Sequence, residues 1–177
     1  MEPHWLSQPA SALPADAETL LSPAEAATYA VLKVPKRRSD WLVGRVTAKQ
    51  LVAESLGRAG LRLHEIEIAA DPDGAPFASL HGERLPISLS ISHSHATAFC
   101  ALWQRPGQET VGCDIEYIEA RDPAFLSDFF TPAEQAAALA WPEPHTATTL
   151  LWSAKEAVLK ALREGLRIDT RHVQIAL

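Results

Sequence analysis

Cysteine is almost absent from the 177-residue chain, which carries only Cys100 and Cys113. Two cysteines cannot build a disulfide framework, so a reducing, cytoplasmic setting is expected. No apolar run approaches the roughly 20 residues that span a bilayer. The N-terminus lacks a positive stretch followed by an apolar block, so neither a membrane span nor a signal peptide is expected. An excess of positive charge is also missing: the formal net charge is −6, which argues against general attraction to nucleic acid or anionic lipid. Histidines paired at ligand spacing are missing, and His93-Ser94-His95 is too tight for the usual zinc spacings. There is no low-complexity segment and no short-period repeat. With 47% hydrophobic and 21% charged residues, the chain suits one domain, or two small lobes sharing a core.

The longest uninterrupted pattern runs from about Thr148 to Gly165 and predicts an amphipathic helix. Leu150, Leu151, Ala154, Val158, Ala161 and Leu162 form its apolar arc. Glu156 and Lys160 lie one turn apart at the edge of that arc. By themselves they read as an i,i+4 surface pair of about 0.2–0.5 kcal/mol. Lys155 falls inside the arc, where it needs a partner, a snorkelling route or an anionic ligand.

Ser22-Pro23-Ala24-Glu25 and Thr131-Pro132-Ala133-Glu134 share one helix-start grammar, with proline at the first helical position and acid in the first turn. The first opens a helix that stops before Pro35. A following helix is expected from a cap at Ser39 or Asp40 to Gly57. Arg45 and Lys49 point into its apolar arc, either as buried ion pairs or as a polyanion site. Trp5 and Leu6 suit a short edge strand. Further strands are expected over Leu61 to Ala69, Ile87 to Ser94, Ala96 to Trp103, Val111 to Ile118 and Arg171 to Leu177. Asp71-Pro72-Asp73-Gly74 and Arg105-Pro106-Gly107 read as turns. The order is helix, helix, strands, then strand, helix, helix, strand. It predicts an α+β protein of two related halves, residues 1–104 and 105–177.

Period two places Asp114 and Glu116 on one side of their strand, with Cys113 and Ile115 on the other. Together with Glu156 they would make a hard, oxygen-only site suited to Mg²⁺ or Mn²⁺. Asp-x-Glu alone is a weak signal. Lys36-Arg37-Arg38 alone reads as solvated surface, and His93 alone as a structural histidine. What strengthens them is their company.

Val111-Gly112-Cys113-Asp114-Ile115-Glu116, followed by Trp152-Ser153-Ala154-Lys155-Glu156-Ala157-Val158-Leu159-Lys160, resembles the paired signature of 4′-phosphopantetheinyl transferases. The larger, pseudo-dimeric class fits best. Ile91-Ser92-His93-Ser94, Gly74-Ala75-Pro76 and Pro35-Lys36-Arg37-Arg38…Gly44-Arg45 resemble that family's other segments, in the right order, so that the match extends from about residue 22 to 177. The resemblance implies two similar α/β lobes related by a pseudo-twofold axis, with coenzyme A between them. The second lobe is expected to be short, because the chain stops soon after the second signature. It implies that Asp114, Glu116 and Glu156 hold Mg²⁺ against the pyrophosphate. Lys155 and Lys160 would contact phosphate oxygens or assist proton movement, with Glu156 or a metal-bound water as the general base. Lys36, Arg37, Arg38, Arg45, Ser92 and His93 would bind coenzyme A, the first three with His93 at its 3′-phosphate. The implied reaction moves 4′-phosphopantetheine to a serine of an apo acyl or peptidyl carrier protein, on a monomeric enzyme. Two alternatives are a non-catalytic module that binds coenzyme A or a carrier, and a Mg²⁺-dependent phosphohydrolase.

Overall fold

A computed structural model describes residues 3–58, 60–104, 107 and 109–176. Two residues of the expected turn Arg105-Pro106-Gly107, and the terminal Leu177, lie outside the described residues. In chain order the elements are β1 (His4–Pro9), α1 (Pro23–Val31), α2 (Pro35–Leu56), β2 (Ile66–Ala70), β3 (Pro76–Leu80), β4 (Glu83–Arg84), β5 (Ile87–Ser94), β6 (Thr97–Gln104), α3 (Pro123–Phe129), α4 (Pro132–Ala140) and α5 (Pro144–Ala161). The class is α+β, as expected from sequence.

Strands β1, β6 and β5 form one antiparallel sheet, and β2, β3 and β4 form another. The register places Leu89 opposite Leu102, and Ile91 opposite Cys100. Period two therefore turns these residues to one face. Helix α2 crosses that face, and its Ala48, Leu51 and Val52 complete a core with Ile66, Ile68, Ala78 and Leu80. Burying one such leucine is worth about 1.5–3 kcal/mol. A smaller core gathers Phe130, Ala138, Ala147 and Leu151 under Phe125, Phe129 and Trp152.

Several boundaries differ from the sequence expectation. Helix α2 starts at Pro35, ahead of the expected Ser39 or Asp40 cap, because proline's fixed φ suits the first helical position. It ends where Gly57 turns left-handed at φ 58°. Leu63–Glu65 is a single 3₁₀ turn, so the strand begins only at Ile66. Residues 109–122 and 173–176 contain no strand. The arc expected on α5 is rotated: its buried stripe is Ala147, Leu151, Lys155 and Leu159, while Leu150, Val158 and Leu162 are exposed. Helix α4 packs on that buried side and sets the rotation.

The two helix-start motifs do more than begin helices. Ser22 and Thr131 each form a capping box with the glutamate three residues on. Each glutamate also reaches inward. Glu25 accepts from the Ile68 amide at 2.9 Å and pairs with Lys49, whose ammonium also donates to the Leu20 carbonyl. Glu134 accepts from the Ile175 amide at 2.8 Å and pairs with Lys155 at 2.9 Å. Lys155 donates in turn to the carbonyls of Thr170 and Val173. Both lysines are 0% exposed. Each of these buried Glu–Lys pairs thus joins a short helix, a long helix and an extended segment.

Candidate active site

The site is built on the face of β5 that points away from α2. Ser88, Ser90 and Ser92 alternate with the core residues Ile87, Leu89 and Ile91 along the strand. Their hydroxyls serve as rungs for the segment that follows β6. Ser88 Oγ accepts from the Val111 amide and Ser90 Oγ from the Cys113 amide, each at 3.0 Å. Ser92 Oγ donates to Asp114 Oδ1 at 2.7 Å. Residues 111–114 therefore track β5 through side chains, which take the Val111 and Cys113 amides in place of a backbone ladder.

On its other side this segment touches α5. A Cβ built on Gly112 would lie 1.8 Å from the Ala157 carbonyl oxygen and 2.8 Å from the Ala161 nitrogen. Only glycine permits that approach. It brings Asp114 to Lys160, whose ammonium donates to Asp114 Oδ1 at 2.6 Å and to Ser92 Oγ at 2.9 Å. Cys113 turns inward and donates to the Phe99 carbonyl, and burial pushes its thiol pKa up.

The carboxylates gather unevenly. Burial pushes the Glu156 pKa up; Lys160 opposes the shift, while the charges of Asp114 and Glu116 add to it. Glu116 is drawn aside by Arg121, whose Nη2 donates to it at 3.1 Å. Among the described residues no three His, Cys, Asp or Glu side chains stand close enough to hold a metal ion. The expected triad of Asp114, Glu116 and Glu156 is therefore not closed, because Lys160 and Arg121 hold two of its members. Yet Asp114 Oδ2 and Glu156 Oε1 are both buried without a hydrogen-bond partner. Such oxygens are costly to bury unpaired. An oxygen-only pair beside a third carboxylate fits Mg²⁺ or Mn²⁺ by donor type.

Lys155 does not reach this site. Its ammonium is spent on Glu134 and two carbonyls in the core, so the expected phosphate or proton role is corrected to a structural one. Lys49 is withdrawn in the same way by Glu25. Ser92 and His93, neighbours on a strand, point to opposite faces: Ser92 joins Asp114, whereas His93 is exposed and flanks Gly44 on α2. The basic segment is also divided. Lys36 pairs with Asp40 at 2.8 Å. Arg38 donates to the carbonyls of Tyr29 and Leu32 and lies over the Tyr29 ring, so it braces the end of α1 and is not free for a phosphate. Arg37 is exposed. Arg45 lies over Trp41, its Nε buried without a partner, and burial lowers its pKa.

A cavity of about 640 Å³ opens beside Lys160. The turn Asp73–Pro76, Ile87, Ser88, Val111 and Ala161 line it. Asp114 and Glu156 do not line it; Lys160 is the residue it shares with the acidic cluster. Sequence reasoning missed Ser88, Ser90, Glu134 and Arg163. The serines sat in plain alternation with the core residues, and Glu134 in the repeated helix-start motif.

The family model of the 4′-phosphopantetheinyl transferase superfamily matches residues 110–177. A holo-[acyl-carrier-protein] synthase of Geobacillus kaustophilus is 36% identical over 80 residues, covering 44% of this chain and 61% of that protein. A holo-[acyl-carrier-protein] synthase of Lactococcus lactis subsp. lactis is 33% identical over 90 residues, covering 48% and 76%. The matches to relatives from Geobacillus and Shouchella span between 53% and 61% of those proteins' lengths. A solved holo-(acyl-carrier-protein) synthase from Bacillus anthracis, in complex with CoA (3′,5′-ADP), superposes with a TM-score of 0.48 at 21% identity, covering 56% of this chain and 91% of that one. These relatives are holo-carrier-protein synthases and not proteins of the larger, pseudo-dimeric class that the motifs resembled. On the strength of these sequence matches, the chain belongs to the 4′-phosphopantetheinyl transferase superfamily.

Proposed function

We propose that this chain transfers the 4′-phosphopantetheine group of coenzyme A to a serine of an apo carrier protein, releasing 3′,5′-adenosine bisphosphate. The observation that carries the reading is the pair of orphaned oxygens, Asp114 Oδ2 and Glu156 Oε1, together with Lys160, which bonds Asp114 and lines the cavity. Asp114, Glu116 and Glu156 would hold Mg²⁺ or Mn²⁺, which would supply charge neutralisation at the pyrophosphate. Lys160 turns from Asp114 towards the phosphate oxygens and offsets the charge that develops on the leaving group. The serine oxygen forms a bond to the β-phosphorus as the bond to the adenosine-bisphosphate oxygen breaks. Glu156 is the candidate to take the serine proton. The cavity holds part of the remainder of coenzyme A; His93, Arg45, Lys36 and Arg37, which stand around α2 and do not line the cavity, are the anion-binding candidates. Arg38 contributes by fixing α1.

We read the chain as two similar halves acting together as a monomer. The repeated Glu25–Lys49 and Glu134–Lys155 pins, each set in a capping box, support this reading. Both cysteines are free and buried, which suits a reducing cytoplasm. Among the described residues no helix is long and apolar enough to cross a membrane.

The test is to incubate the protein with coenzyme A, Mg²⁺ and apo carrier proteins, then weigh the carriers. A mass gain of one phosphopantetheine is expected. Tight coenzyme A binding without any gain would favour a binding module, and free phosphopantetheine released without a carrier would favour hydrolysis.

A further inference from the structure

The outer wall of the cavity is closed by a residue that no motif singled out. Arg163 follows α5 and closes it with a Schellman cap: its amide donates to the Lys160 carbonyl and the Glu164 amide to the Leu159 carbonyl, each at 3.1 Å, which accounts for its φ of 61°. The cap fixes the backbone and leaves the side chain to reach outward. The side chain reaches the turn before β3. Arg163 Nε donates to Asp73 Oδ2 at 2.8 Å, and its Nη2 donates to Asp73 Oδ1 at 2.8 Å and to Asp71 Oδ2 at 2.7 Å. Asp71 also takes a forked pair from Arg84, at 2.8 and 2.9 Å, and the Arg84 guanidinium lies 4.2 Å from the centre of the Phe77 ring on β3. The turn is stiffened from within, since Asp73 accepts from the Ala75 amide and Asp71 from the Gly74 amide. Forked guanidinium–carboxylate bonds fix geometry as well as charge.

Among the described residues, the three hydrogen bonds of Arg163 are the only ones joining this turn to the end of α5. The turn and the helix end both line the same cavity, through Asp73, Lys160 and Arg163. Lys160 bonds to Asp114 and Ser92, and one turn on Arg163 bonds to Asp71 and Asp73. We propose that Arg163 is a positioning residue: it latches the Asp71–Gly74 turn to the end of α5 and so sets the width of the cavity in which coenzyme A lies. This rests on the coenzyme A reading given above. The residue touches no reacting atom, so its removal loosens substrate binding and leaves the chemical step alone.

The experiment uses Arg163→Gly, a change that relieves the backbone while cutting the latch, together with Asp73→Ala and the double variant. Initial rates of carrier modification give KM for coenzyme A and kcat, and hydrogen exchange reports on the amides of Gly74 and Ala75. Arg163→Gly is expected to raise KM about tenfold with kcat within about twofold, the pattern of lost ground-state binding. In Arg163→Gly the two amides exchange faster, and the double variant loses less than the two singles summed, because both break the Arg163–Asp73 fork, while Asp73→Ala keeps the Asp71 bond and itself removes the acceptor of the Ala75 amide. A KM and an exchange pattern equal to the parent's, in a folded Arg163→Gly protein, would overturn the latch. A fall in kcat at unchanged KM would also overturn it. If the parent protein itself fails to bind coenzyme A, the functional reading falls, and the exchange measurement alone still decides whether Arg163 holds the turn.

Discussion

Replacing Gly112 by alanine tests how the site is assembled. The added Cβ would lie 1.8 Å from the Ala157 carbonyl oxygen and 2.8 Å from the Ala161 nitrogen. Both are backbone atoms of α5, so no side chain can swing aside. To reach a contact of about 3.3 Å, the 111–114 segment and α5 must part by roughly 1.5 Å, and over-packing of this kind costs about 1–3 kcal/mol. The displacement falls between Asp114 and its partner Lys160, now 2.6 Å apart. Misplacement by an ångström can cost roughly a hundredfold in rate. Gly112→Ala should therefore lower kcat for carrier modification by about a hundredfold, while melting as a folded protein a few degrees below the parent. Mass spectrometry of the carrier gives the rate, and calorimetry the melt. A variant that melts normally and transfers at the parental rate would show that the close approach of 112 to α5 does not place Asp114, and the site as drawn would be wrong.

Lys155→Ala should destabilise the protein by about 3–5 kcal/mol, because it strands Glu134 in the core; urea unfolding measures this, and an inactive variant of normal stability would return Lys155 to the reaction. Lys160→Ala, at a partly exposed position, should instead reduce transfer by about a hundredfold or more with a smaller loss of stability. Added Mg²⁺ should raise the melting temperature of the parent and not of Asp114→Asn, and a chelator should abolish transfer; a melt that ignores Mg²⁺ would count against the metal assignment. Arg84, first, and then Arg163 hold Asp71 down to a pKa of about 2 against desolvation. A carboxyl depressed in the folded state stabilises above its unfolded value of 3.8 and loses that contribution as pH falls towards 2. Exchange at the 71–75 turn should therefore be flat above pH 5 and rise steeply only in that acid window, beyond the intrinsic pH dependence of the amides.

The parts of the fold that repetition wrote into the chain were readable. Alternation in Ile87 to Ser94 gave β5 its face, and the two proline-led caps gave α1 and α4 their starts. Lys155 was recognisable as out of place in an apolar arc, but its partner was not, since Glu134 lies on another helix and no periodicity links the two. The segment at 111–118 alternated like a strand and is none; at Val111 and Cys113 the hydroxyls of β5 take the amides that a neighbouring strand would have paired. Asp114 and Lys160 were named by their motifs, yet their meeting depends on the contact between Gly112 and α5, which only coordinates reveal. Arg163 carried no signal at all, because a residue after a helix looks like surface until its dihedral angle and distant partners are known.

The hydroxyl rungs of β5 carry a consequence for how such a site could be retuned. A ladder of peptide bonds resists change, since altering one side chain leaves its geometry intact. Here the acidic strip hangs from three alcohols, each of which one mutation can shorten or remove without touching the sheet beneath. Serine-to-threonine or serine-to-alanine exchanges at 88, 90 and 92 would shift where the acids sit in small increments. The adjustable part of this protein is thus its hinge-like seam, and the rigid part is the platform from which that seam is suspended.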